Sequence, residues 1–185
     1  MATASIRRPT IRGALTLLVT VATIVIMTTS LRAYAVQAFV VPSPSMTPTL
    51  QVGDRIIVDK LSSTVRRGDI VVFHRAPGDH DLQYPILVKR VIGLPGETIS
   101  QRGTTIYVDG QPLAEPWLPQ LTGICAAPAK AVPTTTIPQG QYFVMGDCRG
   151  DSEDSRYWGT VPASDIIGKV TAVVWRNGHP WLHWF

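Results

Sequence analysis

Thr105-Ile106-Tyr107-Val108-Asp109-Gly110 is the stretch from which the fold can be read. Ile106, Tyr107 and Val108 are β-branched or aromatic residues of the kind that fits a pleated surface. Asp109-Gly110 is a dipeptide that accepts the positive φ angles of a tight hairpin turn. The same grammar recurs on both sides. Arg55-Ile56-Ile57-Val58, Asp69-Ile70-Val71-Val72-Phe73, Leu87 to Ile92, Tyr142-Phe143-Val144-Met145 and Lys169 to Trp175 are runs of similar composition. Gly53-Asp54, Gly68-Asp69, Pro95-Gly96 and Gly140 punctuate them. No segment after residue 41 carries a helical period of useful length. The body is expected to be mainly β, curled or barrel-like. Residues 111–139, rich in Pro, Thr and Ala, are expected to form a surface excursion.

The chain has 185 residues, of which 45% are hydrophobic and 16% charged, so it can build one core with a short appendage. Its formal charge of +4 is unevenly spread. Residues 1–12 contain Arg7, Arg8 and Arg12 and no acid, whereas the rest is close to neutral. A basic tail on a neutral body is not the footprint of a nucleic-acid-binding protein. Gly13 to Ser30 is an uncharged run of 18 residues. As a helix it spans ~27 Å, close to the ~30 Å hydrocarbon core. Residues 1–12 are therefore expected to be a cytoplasmic tail and 13–31 a transmembrane helix. By the positive-inside rule, 32–185 is then an extracytoplasmic domain. The rival is a cleavable signal peptide ending at Ala33-Tyr34-Ala35. Against it, the apolar run is long for such a segment, and Arg32 stands where small neutral residues belong.

The two cysteines, Cys125 and Cys148, are too few for a disulfide scaffold and have no metal-ligand spacing. They are either one disulfide or two buried thiols, and an extracytoplasmic location favours the bond. The C-terminal His179-Pro180-Trp181-Leu182-His183-Trp184-Phe185 is either a strand packed on the core or a segment dipping into the membrane interface.

Candidate chemistry begins immediately after the apolar run. Val41-Pro42-Ser43-Pro44-Ser45-Met46-Thr47-Pro48-Thr49-Leu50 has three prolines in seven residues, so it is a stiff loop that displays two serines. Taken alone it reads more readily as a juxtamembrane linker. His74, His80, His179 and His183 offer a serine no base in a recognisable setting, and no G-x-S-x-G elbow exists. Lys89 is the better base, because strand alternation puts it on the face shared with Leu87 and Val91. An apolar face can lower a lysine pKa by the ~3 units that base catalysis near neutrality requires. A third segment, Met145 to Gly159, is dense in Asp, Ser and Arg. It breaks the spacing of a calcium loop, and is either a solvated loop or a network that orients a catalytic group through charge-assisted bonds.

Together these segments resemble the bacterial type I signal peptidases, membrane-anchored Ser-Lys proteases. The resemblance covers nearly the whole chain. It rests on the apolar anchor, the P-S-x-S-M-x-P-T-L box at 42–50 and Gly53-Asp54. It extends over Lys89 to Glu97 and over Gly146-Asp147…Ser152…Asp154-Ser155-Arg156-Tyr157-Trp158-Gly159. It implies Ser45 as nucleophile, Lys89 as general base and Ser43 in the oxyanion hole. Ser152 would orient the lysine, with Asp154 and Arg156 supporting that loop, and Val41, Leu50 and Val88 would line shallow substrate pockets. It further implies the coiled antiparallel sheets of the signal peptidase/LexA-like type behind a single transmembrane helix. The implied partners are signal-peptide-bearing preproteins and the lipid bilayer, with no metal or cofactor. Cys148, Gly150 and Asp151 stand where the third box usually has Asn, Asp and Asn. A Cys125–Cys148 bridge would replace what those polar residues supply. A LexA-type repressor would need a DNA-binding domain where this chain has its apolar segment, and a non-catalytic tethered β module would not need Ser45, Lys89 and Ser152 together.

Overall fold

The computed structural model describes residues 11–62, 64–75, 85–126 and 130–185, without the side chains of 30–34. Residues 1–10 of the basic tail, and His80, lie outside the described residues. The chain divides into two compact units, up to Ala35 and from Val36 onward.

The first unit is a single helix, α1 (Ile11–Ala35), longer at both ends than the 13–31 expected and running through Ala33-Tyr34-Ala35. Its threonines satisfy their own hydroxyls: Thr16, Thr20, Thr23, Thr28 and Thr29 each donate to the carbonyl four residues back at 2.8–2.9 Å. A polar side chain closed in this way costs little in hydrocarbon. The stretch Ile11–Thr29 is long and apolar enough to cross a membrane.

The second unit contains the strands β1 (Val36–Val40), β2 (Arg55–Asp59), β3 (Ile70–His74), β4 (Ile86–Gly93), β5 (Thr98–Arg102), β6 (Thr105–Val108), β7 (Gln111–Pro112), β8 (Thr135–Thr136), β9 (Gln141–Met145), β10 (Val161–Pro162), β11 (Ile166–Arg176) and β12 (His179–Trp184). Between β9 and β10 lies a one-turn helix, α2 (Ser155–Trp158). One sheet runs β1-β2-β11-β3-β4-β9-β10 with β12 also paired to β11, and a smaller one runs β7-β6-β5-β8. Every pairing is antiparallel, as the resemblance implied.

Two-residue turns set the register at two corners. Asp109 (φ 50°) and Gly110 (φ 78°) join β6 to β7, and Asn177 (φ 51°) and Gly178 (φ 80°) join β11 to β12. Consecutive positive φ angles match the strand twist and suit Asn, Asp and Gly. The second turn follows the same rule as the first, so its dipeptide was an equally good signal for the last hairpin.

Three apolar clusters fill the body. One gathers Val41, Met46 and Leu50 with Ile56, Val58, Ile70, Val72, Val88, Val170 and Val173. Another joins the small sheet to β4 and β9 through Ile92, Ile99, Ile106, Phe143 and Met145. Val132 and Ile137 are buried in it, and Leu113 and Trp117 pack on it. Residues 111–139 are thus a cover on the core with two short strands of its own, not only a surface excursion. The third cluster, Val71, Phe73, Val91, Val144 and Val161, has Leu87 packed against it. The C-terminal segment departs in one respect from a strand packed on the core. It is a strand by backbone pairing, yet its side chains stay out of the core, with Trp181 51% and Trp184 67% exposed.

Candidate active site

The proline-rich loop after β1 is held at both ends. Val41 N–H donates to Asp54 O and Gly53 N–H to Val41 O, both at 2.9 Å, closing the loop at its base. Within it, Pro44–Met46 forms a single 3-10 turn with proline at its start, where the missing N–H is no loss. Met46 and Leu50 point into the first core cluster and are completely buried. The Thr47–Pro48 peptide is cis. The far limb is clamped by a buried carboxylate: Asp54 accepts from Gln51 N–H (2.9 Å) and from Arg176 Nη2 (2.5 Å), and Arg176 Nη2 also donates to Thr49 O. Ser45 sits on this rigid turn with only 7% exposure.

Lys89 approaches from β4. It pairs across the sheet with Val71, and Leu87 and Val91 flank it on the same face, as strand alternation requires. Its Nζ lies 2.6 Å from Ser45 Oγ, and Ser43 Oγ lies 3.2 Å from the same oxygen. Burial pulls the Lys89 pKa down from 10.5 to about 8, partly opposed by the Asp154 carboxylate and reinforced by the Arg156 and Arg75 guanidinium groups. Desolvation dominates because the ammonium has lost its water without gaining an ion pair.

The third segment forms a packed scaffold beside this pair. Asp154 is inaccessible and saturated with donors. It accepts from Gly146 N–H (3.0 Å), Ser152 Oγ (2.8 Å), Arg156 N–H (3.2 Å) and the Arg156 side chain (2.7 and 2.8 Å). It thereby caps α2 as well. Arg156 extends the tie to Arg149 O at 2.7 Å and Lys130 O at 3.3 Å. Arg149 turns away to pair with Glu115, and Cys148 forms a disulfide with Cys125, so residues 115–130 are fastened to the scaffold at three points. Cys148 N–H also donates to Ser45 O at 3.1 Å.

Of the residues singled out from sequence, Ser43, Ser45 and Lys89 come together, with Ser152, Asp154 and Arg156 beside them. Two placements differ in detail. The Ser152 hydroxyl is directed at Asp154; the Lys89 ammonium bonds to Ser45 alone among the described residues. Val41, Leu50 and Val88, expected to line substrate pockets, are core residues at 1%, 0% and 8% exposure. The groove at Ser45 holds about 160 Å³, and its walls are Ser43, Pro44, Leu87, Lys89, Arg75, Asp151 and Glu153. An apolar side chain suits a pocket wall and a core equally, so composition could not separate the two. His74, His179 and His183 take no part in this lining.

Two supports were not foreseen. Arg90, on the opposite face of β4 from Lys89, binds Asp147 through two nitrogens (2.8 and 2.6 Å), and Asp147 holds Thr49 Oγ1 at 2.5 Å. Gly146 packs so closely that a Cβ there would overlap the Ser45 carbonyl oxygen and the Ser152 side chain. Both lay inside boxes quoted from the sequence, but neither spacing nor residue type revealed the partner.

The chain is similar to known proteins along most of its length. The model of the family described as signal peptidase, peptidase S26, matches residues 14–175. A protein named signal peptidase I from Leptolyngbya laminosa is 39% identical over 158 residues, covering 82% of this chain and 74% of the relative. Signal peptidase I V from Bacillus subtilis (strain 168) is 40% identical over 138 residues, 69% of this chain and 79% of the relative. A crystal structure of a signal peptidase I from Enterococcus faecalis V583 covers 58% of this chain and 97% of its own, at 32% identity and a TM-score of 0.45. With one family model spanning most of its length and relatives of this similarity, the chain belongs to the signal peptidase family, peptidase S26.

Proposed function

We propose that this chain is a membrane-anchored serine endopeptidase that removes signal peptides from exported preproteins, with Ser45 as nucleophile and Lys89 as general base. The observation that carries the assignment is the 2.6 Å approach of Lys89 Nζ to Ser45 Oγ on a buried, apolar strand face. With its pKa at about 8, roughly a tenth of Lys89 is the neutral amine at pH 7.

In that form Nζ takes the Ser45 hydroxyl proton as Oγ attacks the scissile carbonyl carbon. The developing oxyanion is received by the Ser43 hydroxyl and the Ser45 N–H, donors held by the proline-stiffened turn. The C–N bond then breaks, and Lys89 returns the proton to the leaving amine, freeing the mature protein and leaving the signal peptide esterified to Ser45. Water enters, gives a proton to Lys89 and attacks the ester; Lys89 protonates the departing Oγ and the cycle closes. Asp154 and Arg156 act at one remove, by fixing the loop that carries Ser152 against Gly146.

α1 serves as the anchor. The basic tail lies on the cytoplasmic side and the β body outside, where cleavage sites emerge from the bilayer. Val41, Leu50 and Val88 support the groove from the core side. The test is reconstitution in lipid vesicles with a preprotein. Wild type should release a shortened product, while Ser45→Ala and Lys89→Ala should each lose at least a thousandfold in rate. Cleavage that survives in both variants would falsify the dyad.

A further inference from the structure

Among the described residues, and with Lys89 in its neutral, proton-accepting form, the groove beside Ser45 carries two carboxylates, Asp151 and Glu153, against one cation, Arg75. Arg75 and Glu153 lie on its walls 3.7 Å apart, so their charges largely offset one another. Asp151 lies on the wall as well, is exposed, and its carboxylate has no hydrogen bond or ion pair among the described residues. The neighbouring cations are committed elsewhere: Arg149 to Glu115 and Arg156 to Asp154. Asp151 is also held in place. Its N–H donates to Cys148 O at 3.0 Å, Cys148 is in the disulfide, and the adjoining Ser152 is buried and bonded to Asp154. A carboxylate on a fixed turn, next to the nucleophile, meets whatever residues flank the bond being cut.

Lys89 identifies which flank. It must hand its proton to the leaving amine, so the mature side of the substrate passes Lys89, and Asp151 lies on the walls of the same small groove. We propose that Asp151 makes the groove selective for preproteins with a basic rather than an acidic residue immediately after the scissile bond. This rests on the roles given to Ser45 and Lys89 above. Asp151 is one of the three positions at which the loop departs from the usual family box, so the preference belongs to this chain's own residues.

An exposed carboxylate about 7 Å from a substrate charge changes binding by about threefold, favourably for a cation and unfavourably for an anion. The Lys-to-Glu ratio in kcat/KM should therefore be about five- to tenfold at low salt and shrink as ionic strength rises. The experiment uses the full chain in detergent micelles and three peptides that differ only in the first residue after the scissile bond: Lys, Gln or Glu. Wild type should follow the order Lys, Gln, Glu; Asp151→Asn should bring the ratio near one; Asp151→Glu should restore it. A wild-type ratio near one overturns the proposal. So does a ratio that persists in Asp151→Asn, or one that collapses in Glu153→Gln instead. Failure of wild type to cut any of the peptides, or cleavage of all three by Ser45→Ala, would instead remove the dyad on which the proposal stands.

Discussion

At the scale of single residues, Lys89 shows how one burial serves chemistry at the expense of stability. Its folded pKa, about 8, lies below the 10.5 of an unfolded lysine, so the unfolded chain binds more protons between those values. Folding is therefore penalised in full below pH 8, and the penalty fades as pH rises towards 10.5. At 1.36 kcal/mol per pH unit it amounts to about 3 kcal/mol. Activity and stability should both rise with pH, over different windows. The rate should climb about tenfold per pH unit below 8 and level off above it; a flat profile from pH 6 to 9 would contradict a neutral-lysine base. Lys89→Met should be inactive yet more stable than wild type by about 3 kcal/mol at pH 7, and by progressively less towards pH 10, in denaturant unfolding. Gly146 is the counterpart with no chemistry of its own. Gly146→Ala forces the Ser45 carbonyl and Ser152 apart, so it should cost 1–3 kcal/mol in stability. It should also lower kcat at least a hundredfold with KM little changed, because the displaced atom is the nucleophile's own backbone.

At the scale of elements, the catalytic turn is a short loop kept rigid by distant partners. Residues 115–130 reach it through the Arg149–Glu115 pair, the Arg156 bond to Lys130 O and the Cys125–Cys148 disulfide, while Cys148 N–H holds Ser45 O. A bridge across 23 residues restricts the unfolded chain by roughly 3 kcal/mol in the loop-entropy model. Cys125→Ala/Cys148→Ala should unfold at correspondingly lower denaturant and lose activity more than tenfold, with the limb near pH 8 retained since Lys89 is untouched. Loss of the limb would tie the disulfide to the base itself. These clamps also mark where sequence stops being informative. The strands were legible because alternation and turn dipeptides are local; local stiffness and strand face made Ser45 and Lys89 candidates, but only the resemblance across the separate boxes joined them and added Ser43. Asp54 with Arg176, 122 residues apart, and Arg90 with Asp147, 57 apart, carry no local trace. The apolar triad Val41, Leu50 and Val88 shows a different limit, since burial and pocket lining select the same side chains.

At the scale of the whole molecule, the chain is two units with separate physical tasks. The body from Val36 onward contains all three apolar clusters, both sheets and every residue of the proposed site. A chain beginning at Val36 should accordingly fold, show the same rise in rate up to pH 8, and cut a soluble peptide at close to the full-length rate. What it should lose is encounter. An anchor confines enzyme and membrane-borne preprotein to one surface, which raises their effective concentration without adding a contact. Removing residues 1–35 should therefore lower cleavage of a vesicle-bound preprotein by one to two orders of magnitude while leaving the soluble peptide nearly unaffected. Equal losses on both substrates would mean that α1 supports the fold of the body instead. The basic tail allows a second readout, because the proposed orientation rests on Arg7, Arg8 and Arg12. Changing all three to Glu and placing three lysines after Arg32 should turn the body to the opposite face in cells, where externally added protease no longer reaches it. An unchanged protease-accessible body would show that something other than tail charge orients the chain.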